Sequence, residues 1–181
     1  MTEGIMFEPG AGERIEGHGL DVTIKSTMDE PALTATFEVV LPSGYDVGAH
    51  VHARGEEIFY VIEGELDLLA FEPLDRDQPD WHRWESRSGR RFMHGGPGAF
   101  MFVPQGVPHA FANTTKKPAK MFFQSSVPGG HENYFQELAA ILRRSDGRPD
   151  PKDIAELRRR YDIEQLTPLA GGAGPQPSGS S

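Results

Sequence analysis

The sequence contains no cysteine, and this absence narrows the chemistry that the protein can perform. Disulfide bonds, thiolate metal ligands and cysteine nucleophiles are all excluded. A metal site in this chain must therefore be built from His, Asp and Glu side chains, together with water.

Long apolar runs are missing as well. Nowhere do the 181 residues approach the ~18 consecutive apolar residues that a transmembrane helix needs. The first ten residues, MTEGIMFEPG, lack the basic segment and the apolar run that mark a secretory signal. We therefore expect a soluble, cytoplasmic protein without a membrane partner.

Positive charge is scarce, because 18 Lys and Arg residues face 27 Asp and Glu residues, and the formal net charge is -9. Nucleic-acid binding normally requires a basic face, so we expect no nucleic-acid partner. The one dense basic cluster, residues 158–160 (RRR), falls in a predicted helix, where a solvated helix face explains it.

What the chain has in quantity is turn residues, with 21 glycines and 15 prolines between short apolar runs. This pattern is typical of many short strands in a barrel or sandwich. The predicted strands cover 34–41, 57–63, 65–71, 99–103, 109–113 and 119–125, with weaker candidates at 21–26, 81–86 and 90–94. The Glu63-Gly64 pair predicts a hairpin turn between two of them.

The pattern becomes helical after residue 130. Apolar side chains share one helical stripe at Tyr134, Phe135, Leu138, Ile141 and Leu142. This stripe predicts a helix over 131–144, and Asp150 followed by Pro151 predicts the start of a second helix over 151–161. We expect both helices to pack outside the barrel through their apolar faces.

The domain prediction divides the chain into four parts. An N-terminal strand or arm region (1–33) precedes the barrel (34–127), and a helical appendage (128–165) precedes a tail (166–181). The tail is predicted to be disordered because its composition, GGAGPQPSGSS from Gly171, offers nothing to bury.

Candidate metal ligands lie in the block GYDVGAHVHARGEEIFYVIEG, residues 44–64. His50 and His52 are two residues apart, so on a strand their side chains point the same way. Glu57 begins the next apolar run, and Phe59 and Val61 share its face, which is the face that lines a small barrel. Glu56 is an alternative to Glu57 as the metal ligand, but the alternation of side chains along a strand places Glu56 on the opposite face.

A second block, GAFMFVPQGVPHAFAN, covers residues 98–113. A strand reaches the turn Pro104-Gln105-Gly106, and His109 opens the returning strand with Phe111 on its face. The remaining histidines are interpreted as surface or hydrogen-bonding residues, namely His18, His82, His94 and His131.

The two blocks together resemble the two motifs of the cupin superfamily. The motif positions are occupied by Gly44, His50, His52, Glu57 and Gly64 in the first block and by Gly98, Pro104, Gly106, His109 and Asn113 in the second. The resemblance implies an all-β fold, the cupin double-stranded β-helix or jelly-roll barrel with C-terminal helices. It also implies one divalent metal ion held by four side chains, those of His50, His52, Glu57 and His109.

Three imidazoles and one carboxylate suit Ni, Mn, Fe, Co, Cu or Zn, and disfavour Ca and Mg. Within the cupins, the insertion between Gly64 and Gly98 and the segment SVPGGHENYFQELAAIL resemble single-domain quercetin dioxygenase-like members. This likeness implies a metal-dependent dioxygenase that uses dioxygen on a phenolic, flavonol-like or enolisable aromatic substrate. Glu57 would then be both a ligand and the catalytic base.

Phe59, Val61 and Phe111 are the expected substrate-pocket residues. Two other function classes stay open. One is a non-oxidative metal-dependent cyclase or isomerase of aromatic metabolite biosynthesis, and the other is a ligand-binding cupin without turnover. Family resemblance also implies a homodimer, with the segment before Thr34 as a candidate interface.

Overall fold

A computed structural model of the protein describes residues 4–29 and 32–168. Its strands are β1 (Glu13–Gly17), β2 (Leu20–Ser26), β3 (Ala35–Leu41), β4 (His50–Val51), β5 (Glu57–Glu63), β6 (Leu66–Ala70), β7 (Met93–Gly95), β8 (Phe100–Val103), β9 (His109–Ala112), β10 (Ala119–Ser125) and β11 (Glu164–Gln165). Its helices are α1 (His131–Arg144) and α2 (Pro151–Arg160). Neither helix combines the length and the apolar character that crossing a bilayer requires.

The strands form two antiparallel sheets, as the predicted all-β class requires. One has the order β1-β2-β3-β10-β5-β8, and the other has the order β11-β4-β9-β6-β7. Side chains alternate between buried and partly exposed along β3 and β10, so each strand offers one face to the interior. The rings of Phe59 and Phe111, one from each sheet, lie 5.3 Å apart, which places the core between the sheets.

Both helices are found where the sequence predicts them. The Asp150 side chain accepts a hydrogen bond from the Lys152 amide, and Pro151 fills the first helical position of α2. The chain after α1 turns back at Gly147, whose amide donates to the Leu142 carbonyl at 2.8 Å.

The predicted hairpin at Glu63-Gly64 is wrong. β5 and β6 follow one another in the chain but belong to different sheets, so no ladder joins them. Gly64 is instead the corner where the chain crosses between sheets, with φ of 76°. A Cβ there would lie 2.8 Å from the Ala119 Cα, so the corner requires glycine.

The predicted strand at 81–86 is also wrong, because Trp81–Arg83 forms a 3₁₀ helix. The Asp80 side chain accepts a hydrogen bond from the His82 amide and starts this turn. Both indoles are buried and both find acceptors: Trp81 Nε1 donates to Asp46 at 3.0 Å, and Trp84 Nε1 donates to the Gln78 carbonyl at 2.8 Å. Satisfying two buried indole N–H groups overrides the local strand pattern.

The end of the described chain is held by the sheet that contains β4. Thr167, which the sequence placed in the tail, is buried, and its hydroxyl accepts a hydrogen bond from the Ala49 amide at 2.8 Å. The predicted disorder from Gly171 lies outside the described residues, and the other domain limits stay predictions.

Candidate metal centre

The two sheets bring the four predicted ligands to one place. His50 in β4 pairs directly with His109 in β9, and His52 follows β4. Glu57 opens β5 in the facing sheet, beside Ser125 of β10. Between β4 and β5 the chain turns at Gly55, where φ is 88° and a Cβ would lie 2.6 Å from the Val127 Cα.

One possible ligand atom from each of His50, His52, Glu57 and His109 lies within 4.8 Å of all the others. His109 Nε2 is 2.8 Å from Glu57 Oε2, and His52 Nε2 is 3.2 Å from Glu57 Oε1. All four side chains are buried. Glu56 is exposed, so the structure agrees with Glu57 as the residue that faces the histidines.

The orientation of the imidazoles follows from their backbone partners. The Nδ1 atoms of His50, His52 and His109 lie 3.0, 2.9 and 3.1 Å from the carbonyl oxygens of Gly48, Asp162 and Val107. Because a carbonyl only accepts, Nδ1 carries the proton when these rings are neutral, and Nε2 carries a lone pair. Such backbone contacts fix the rings of metal-binding histidines.

The Nε2 atoms of His52 and His109 point towards Glu57. Among residues 4–29 and 32–168, the buried Nε2 atoms of His52 and His109 make no hydrogen bond. Neutral rings direct these lone pairs at an anionic carboxylate, and this arrangement is repulsive unless a cation lies among the groups. The donor set of three imidazoles and one carboxylate therefore fits a divalent transition metal.

The pKa shifts of Glu57 and His50 also fit a metal site. Burial alone would raise the pKa of Glu57, but His52 and His109 hold it well below its ordinary value. Burial and the neighbouring imidazoles lower the pKa of His50 well below its ordinary value. Burial opposes a charge on His52, yet Glu57 raises the pKa of His52. Glu57 is therefore anionic and His50 neutral, which are the forms that bind metals. At His52, by contrast, a metal ion would have to displace the proton that Glu57 favours.

The cluster opens on an apolar cavity between the sheets. Phe59 and Phe111, two of the three predicted pocket residues, line this cavity together with Phe123. Val61 is buried in the core but is not among the cavity-lining residues, because it lies further along β5 from Glu57. Other apolar side chains of the cavity wall include Val39, Leu41, Met121 and Leu138.

The interpretation of His131 as an ordinary hydrogen-bonding residue missed its position. His131 opens α1, is buried, and places Nε2 3.4 Å from Glu57 Oε1. Its Nδ1 lies 2.8 Å from Ser125 Oγ. Since Ser125 Oγ already accepts from the Val127 amide, its hydroxyl hydrogen is free to go to His131 Nδ1, which leaves Nε2–H facing Glu57.

The expectation that both helices pack only on the outside of the barrel is wrong. Tyr134 and Phe135 of α1 line the cavity, and so does Arg158 of α2. A signal was present in the sequence, because only five residues, SVPGG, separate β10 from His131. This short turn returns the chain to the end of the strand that pairs with Glu57.

The other three histidines lie away from the His-Glu cluster. His82 and His94 both contact Asp67, on the side of the second sheet near β7. His18 is exposed and has a positive φ of 51°. For these three residues, the prediction of surface or hydrogen-bonding positions agrees with the structure.

The fold and the cluster together define a class of protein, and sequence comparison gives its name. The family described as Cupin matches residues 11–144, which is well over half of the chain. The protein therefore belongs to the cupin family. No curated protein matches the chain.

Several solved structures are similar to this chain. An oxalate oxidase is 21% identical with a TM-score of 0.49, covering 70% of this chain and 61% of that one. Oxalate decarboxylase from Bacillus subtilis is 21% identical with a TM-score of 0.46, covering 62% and 26%. The Cnp3 cupin domain of Schizosaccharomyces pombe is 11% identical with a TM-score of 0.49, covering 67% and 72%.

This chain thus spans less than two thirds of the length of the first two proteins. At these identities the likenesses carry no conclusion about activity. They also do not distinguish a quercetin dioxygenase from other cupins.

Proposed function

We propose that the protein is a metal-dependent cupin enzyme and, within that class, a dioxygenase acting on a phenolic, flavonol-like or enolisable aromatic substrate. One observation carries the proposal. The Nε2 atoms of His52 and His109, which find no hydrogen-bond partner in residues 4–29 and 32–168, converge on the buried carboxylate of Glu57 beside an apolar cavity. A reactive centre that opens on an apolar cavity is the expected form of a small-molecule site.

His50, His52, Glu57 and His109 are the proposed ligands. A divalent transition metal bound by them would supply Lewis-acid and oxygen chemistry to a substrate oxygen. The backbone carbonyls at Gly48, Asp162 and Val107 hold the three rings in the orientation that ligation requires.

The cavity walls would select and orient the substrate. Phe59 and Phe123 stack with ring centroids 5.0 Å apart, and Phe111 adds a third ring from the facing sheet. Flat apolar surfaces of this kind bind an aromatic ring and exclude water from it. This environment favours an aromatic substrate over a strongly hydrated one.

Glu57 is the proposed proton acceptor for the substrate hydroxyl. Its carboxylate is anionic at neutral pH, as a base requires, and its lowered pKa makes it a weak base. His131 Nε2–H, at 3.4 Å from Oε1, would donate to that oxygen, which also lies 3.2 Å from His52 Nε2. Glu57 would thus serve as a ligand through one oxygen and as a base through the other.

The test compares Glu57→Gln with Glu56→Gln, two neighbouring carboxylates of which only the first faces the histidines. Each protein is reconstituted separately with Mn, Fe, Co, Ni, Cu and Zn, and oxygen uptake is followed with a flavonol and with simpler phenols. With saturating metal, we expect Glu57→Gln to lose roughly 10²–10⁴-fold in turnover, while Glu56→Gln retains it.

Two results would contradict this function. Near-normal turnover by fully metallated Glu57→Gln would remove the base role. Product formation by the wild-type protein without oxygen uptake would replace the dioxygenase with a Lewis-acid cyclase or isomerase.

A further inference from the structure

Arg158 differs from the two arginines that follow it. Arg159 pairs with Glu156 at 2.8 Å and Arg160 pairs with Glu137 at 2.6 Å, and both arginine side chains are exposed to solvent. Arg158 is only 8% exposed. The sequence prediction of a solvated basic face therefore holds for two residues of the run and is wrong for Arg158.

Two of the three guanidinium nitrogen atoms of Arg158 have no hydrogen-bond partner within the described part of the chain. Its buried Nε and Nη1 atoms make no hydrogen bond with any residue in the described ranges 4–29 and 32–168. Arginine does not shed its proton in proteins, so burial cannot neutralise this group. An unpaired buried charge is one of the most unfavourable arrangements in a folded protein, and proteins keep such groups where a ligand completes them.

The position of Arg158 shows where that ligand would lie. Arg158 lines the same cavity as His50 and Glu57, and so do Tyr45 and Tyr134. The charge of Arg158 acts on Tyr45, as Tyr134 does. Burial and Tyr134 raise the pKa of Tyr45 to about 12, although the Arg158 charge opposes this, so Tyr45 keeps its hydroxyl hydrogen at neutral pH. A fixed cation and a neutral O–H donor thus face one apolar cavity.

We propose that Arg158 binds a carboxylate group of the substrate, and that the natural substrate is a small hydroxylated aromatic acid. The proposal rests on the proposed function, because it takes the cavity beside the His-Glu cluster as the substrate site. A guanidinium binds a carboxylate through two parallel N–H···O bonds, which match in charge and in geometry. The substrate's apolar ring would lie between the phenylalanines, with its hydroxyl at the cluster.

Benzoate and benzamide are suitable probes because they share shape and differ in charge. Calorimetric titration of the wild-type protein should show benzoate binding about 10- to 100-fold more tightly than benzamide. Arg158→Gln should abolish this preference, and Arg158→Lys should retain part of it. Arg159→Gln, the matched control on the exposed side of the helix, should behave as the wild-type protein.

A carboxylate can also bind a metal, so each titration is run with chelator-treated and with metal-loaded protein. The Arg158-dependent preference should persist without metal. This separates the inference from the proposed function: if no metal binds the cluster, that function fails while the benzoate preference stays. A preference that requires metal and ignores Arg158→Gln would overturn the inference, as would equal affinities for the two probes or no benzoate binding at millimolar concentration.

The thermal stability of Arg158→Met provides a second readout that a purely structural arginine would not give. Without ligand, this variant should unfold at the wild-type temperature or above it, because the substitution removes an unpaired buried charge and keeps the volume. With saturating benzoate, only the wild-type protein should gain stability. A marked fall in the unfolding temperature of the unliganded variant would show that Arg158 serves the fold instead.

Discussion

Two His-carboxylate clusters in this protein contain the same residue types and differ in the direction of their N–H groups. At Glu57, the Nδ1 atoms of the facing histidines turn to backbone carbonyls, and the Nε2 atoms of His52 and His109 have no hydrogen-bond partner among the residues that the structure describes. At Asp67, the imidazole nitrogens of His82 and His94 point to the carboxylate itself, and Thr114 Oγ1 donates to it at 3.0 Å.

The comparison shows that composition alone does not make a metal site. Asp67 is buried in β6 and is satisfied by three donors from the protein. Its contact with His82 joins the insertion after β6 to the second sheet, and its contact with His94 lies between the neighbouring strands β6 and β7. Glu57 has no equivalent set of donors, since the rings around it are already oriented by the backbone. The Asp67 cluster is complete as it stands, whereas the Glu57 cluster is one that a cation would complete.

The largest expected effect is on metal affinity, after the loss of one metal ligand. His109→Ala should lower metal affinity by more than roughly 100-fold, the upper range for losing even an outer-shell partner. The measurement is a competition titration against a chromophoric chelator. His94→Ala, which removes a histidine from the Asp67 cluster, is the control and should bind metal as the wild-type protein does. Equal affinities in all three proteins would contradict the assignment.

His131 should have the next largest effect, because it contacts Glu57 without belonging to the group of four. We expect His131→Leu to weaken metal binding by about 10- to 100-fold, since an oxygen of Glu57 loses its neighbouring donor. His131→Gln keeps an N–H donor and should recover part of the loss. Unchanged metal affinity in the leucine variant would show that His131 only packs against the cluster.

The Asp67 cluster should respond in stability and not in metal binding. Asp67→Asn places an amide where three donors expect a carboxylate, and we expect it to lower the free energy of unfolding by about 1–3 kcal/mol. Urea unfolding measures this change. Asp77→Asn, an exposed position of the same insertion, should be nearly neutral. Loss of metal from Asp67→Asn would mean that the two clusters are coupled.

The smallest expected effect is the contribution of His94 to the pH dependence of the unfolding free energy. Its hydrogen bond with Asp67 raises the pKa of His94 above its ordinary value. The stabilisation is therefore fully present below about pH 6.5, the unfolded value, and is lost as pH rises through the higher folded pKa. Because His94 is half exposed, the contribution should be at most about 1 kcal/mol.

The measurement for His94 is the difference in unfolding free energy between the wild-type protein and His94→Gln. It should shrink as pH rises from about 5.5 to about 9. A difference that instead grows with pH would show that His94 is neutral in the folded protein.

The short-range part of the site was predictable from the sequence. Alternation along a strand places His50 and His52 on one side and gives Glu57 the same face as Phe59. A single turn then returns His109 to the same region. The structure brings these four side chains together, and their role as metal ligands stays a prediction. The bounds of both helices were also predictable from the sequence, because apolar periodicity and helix caps are local signals.

What the sequence missed depends on contacts between distant segments. His131 and Arg158 reach the cavity only because α1 and α2 fold back over the sheets, and local periodicity does not report which helix face meets a cavity. The Glu63-Gly64 turn was misjudged for a related reason: a turn signal shows that the chain reverses, but not which sheet the next strand joins.

The most direct test of the account is the position of bound metal in a crystal of the protein grown with one equivalent of Mn²⁺, Co²⁺ or Ni²⁺. Diffraction data at the absorption edge of the metal locate it without assumptions about the ligands. We expect one anomalous peak per chain, at about 2.0–2.3 Å from Nε2 of His50, His52 and His109, with a Glu57 oxygen in contact. A peak beside Asp67, or no peak within the His-Glu cluster, would contradict it.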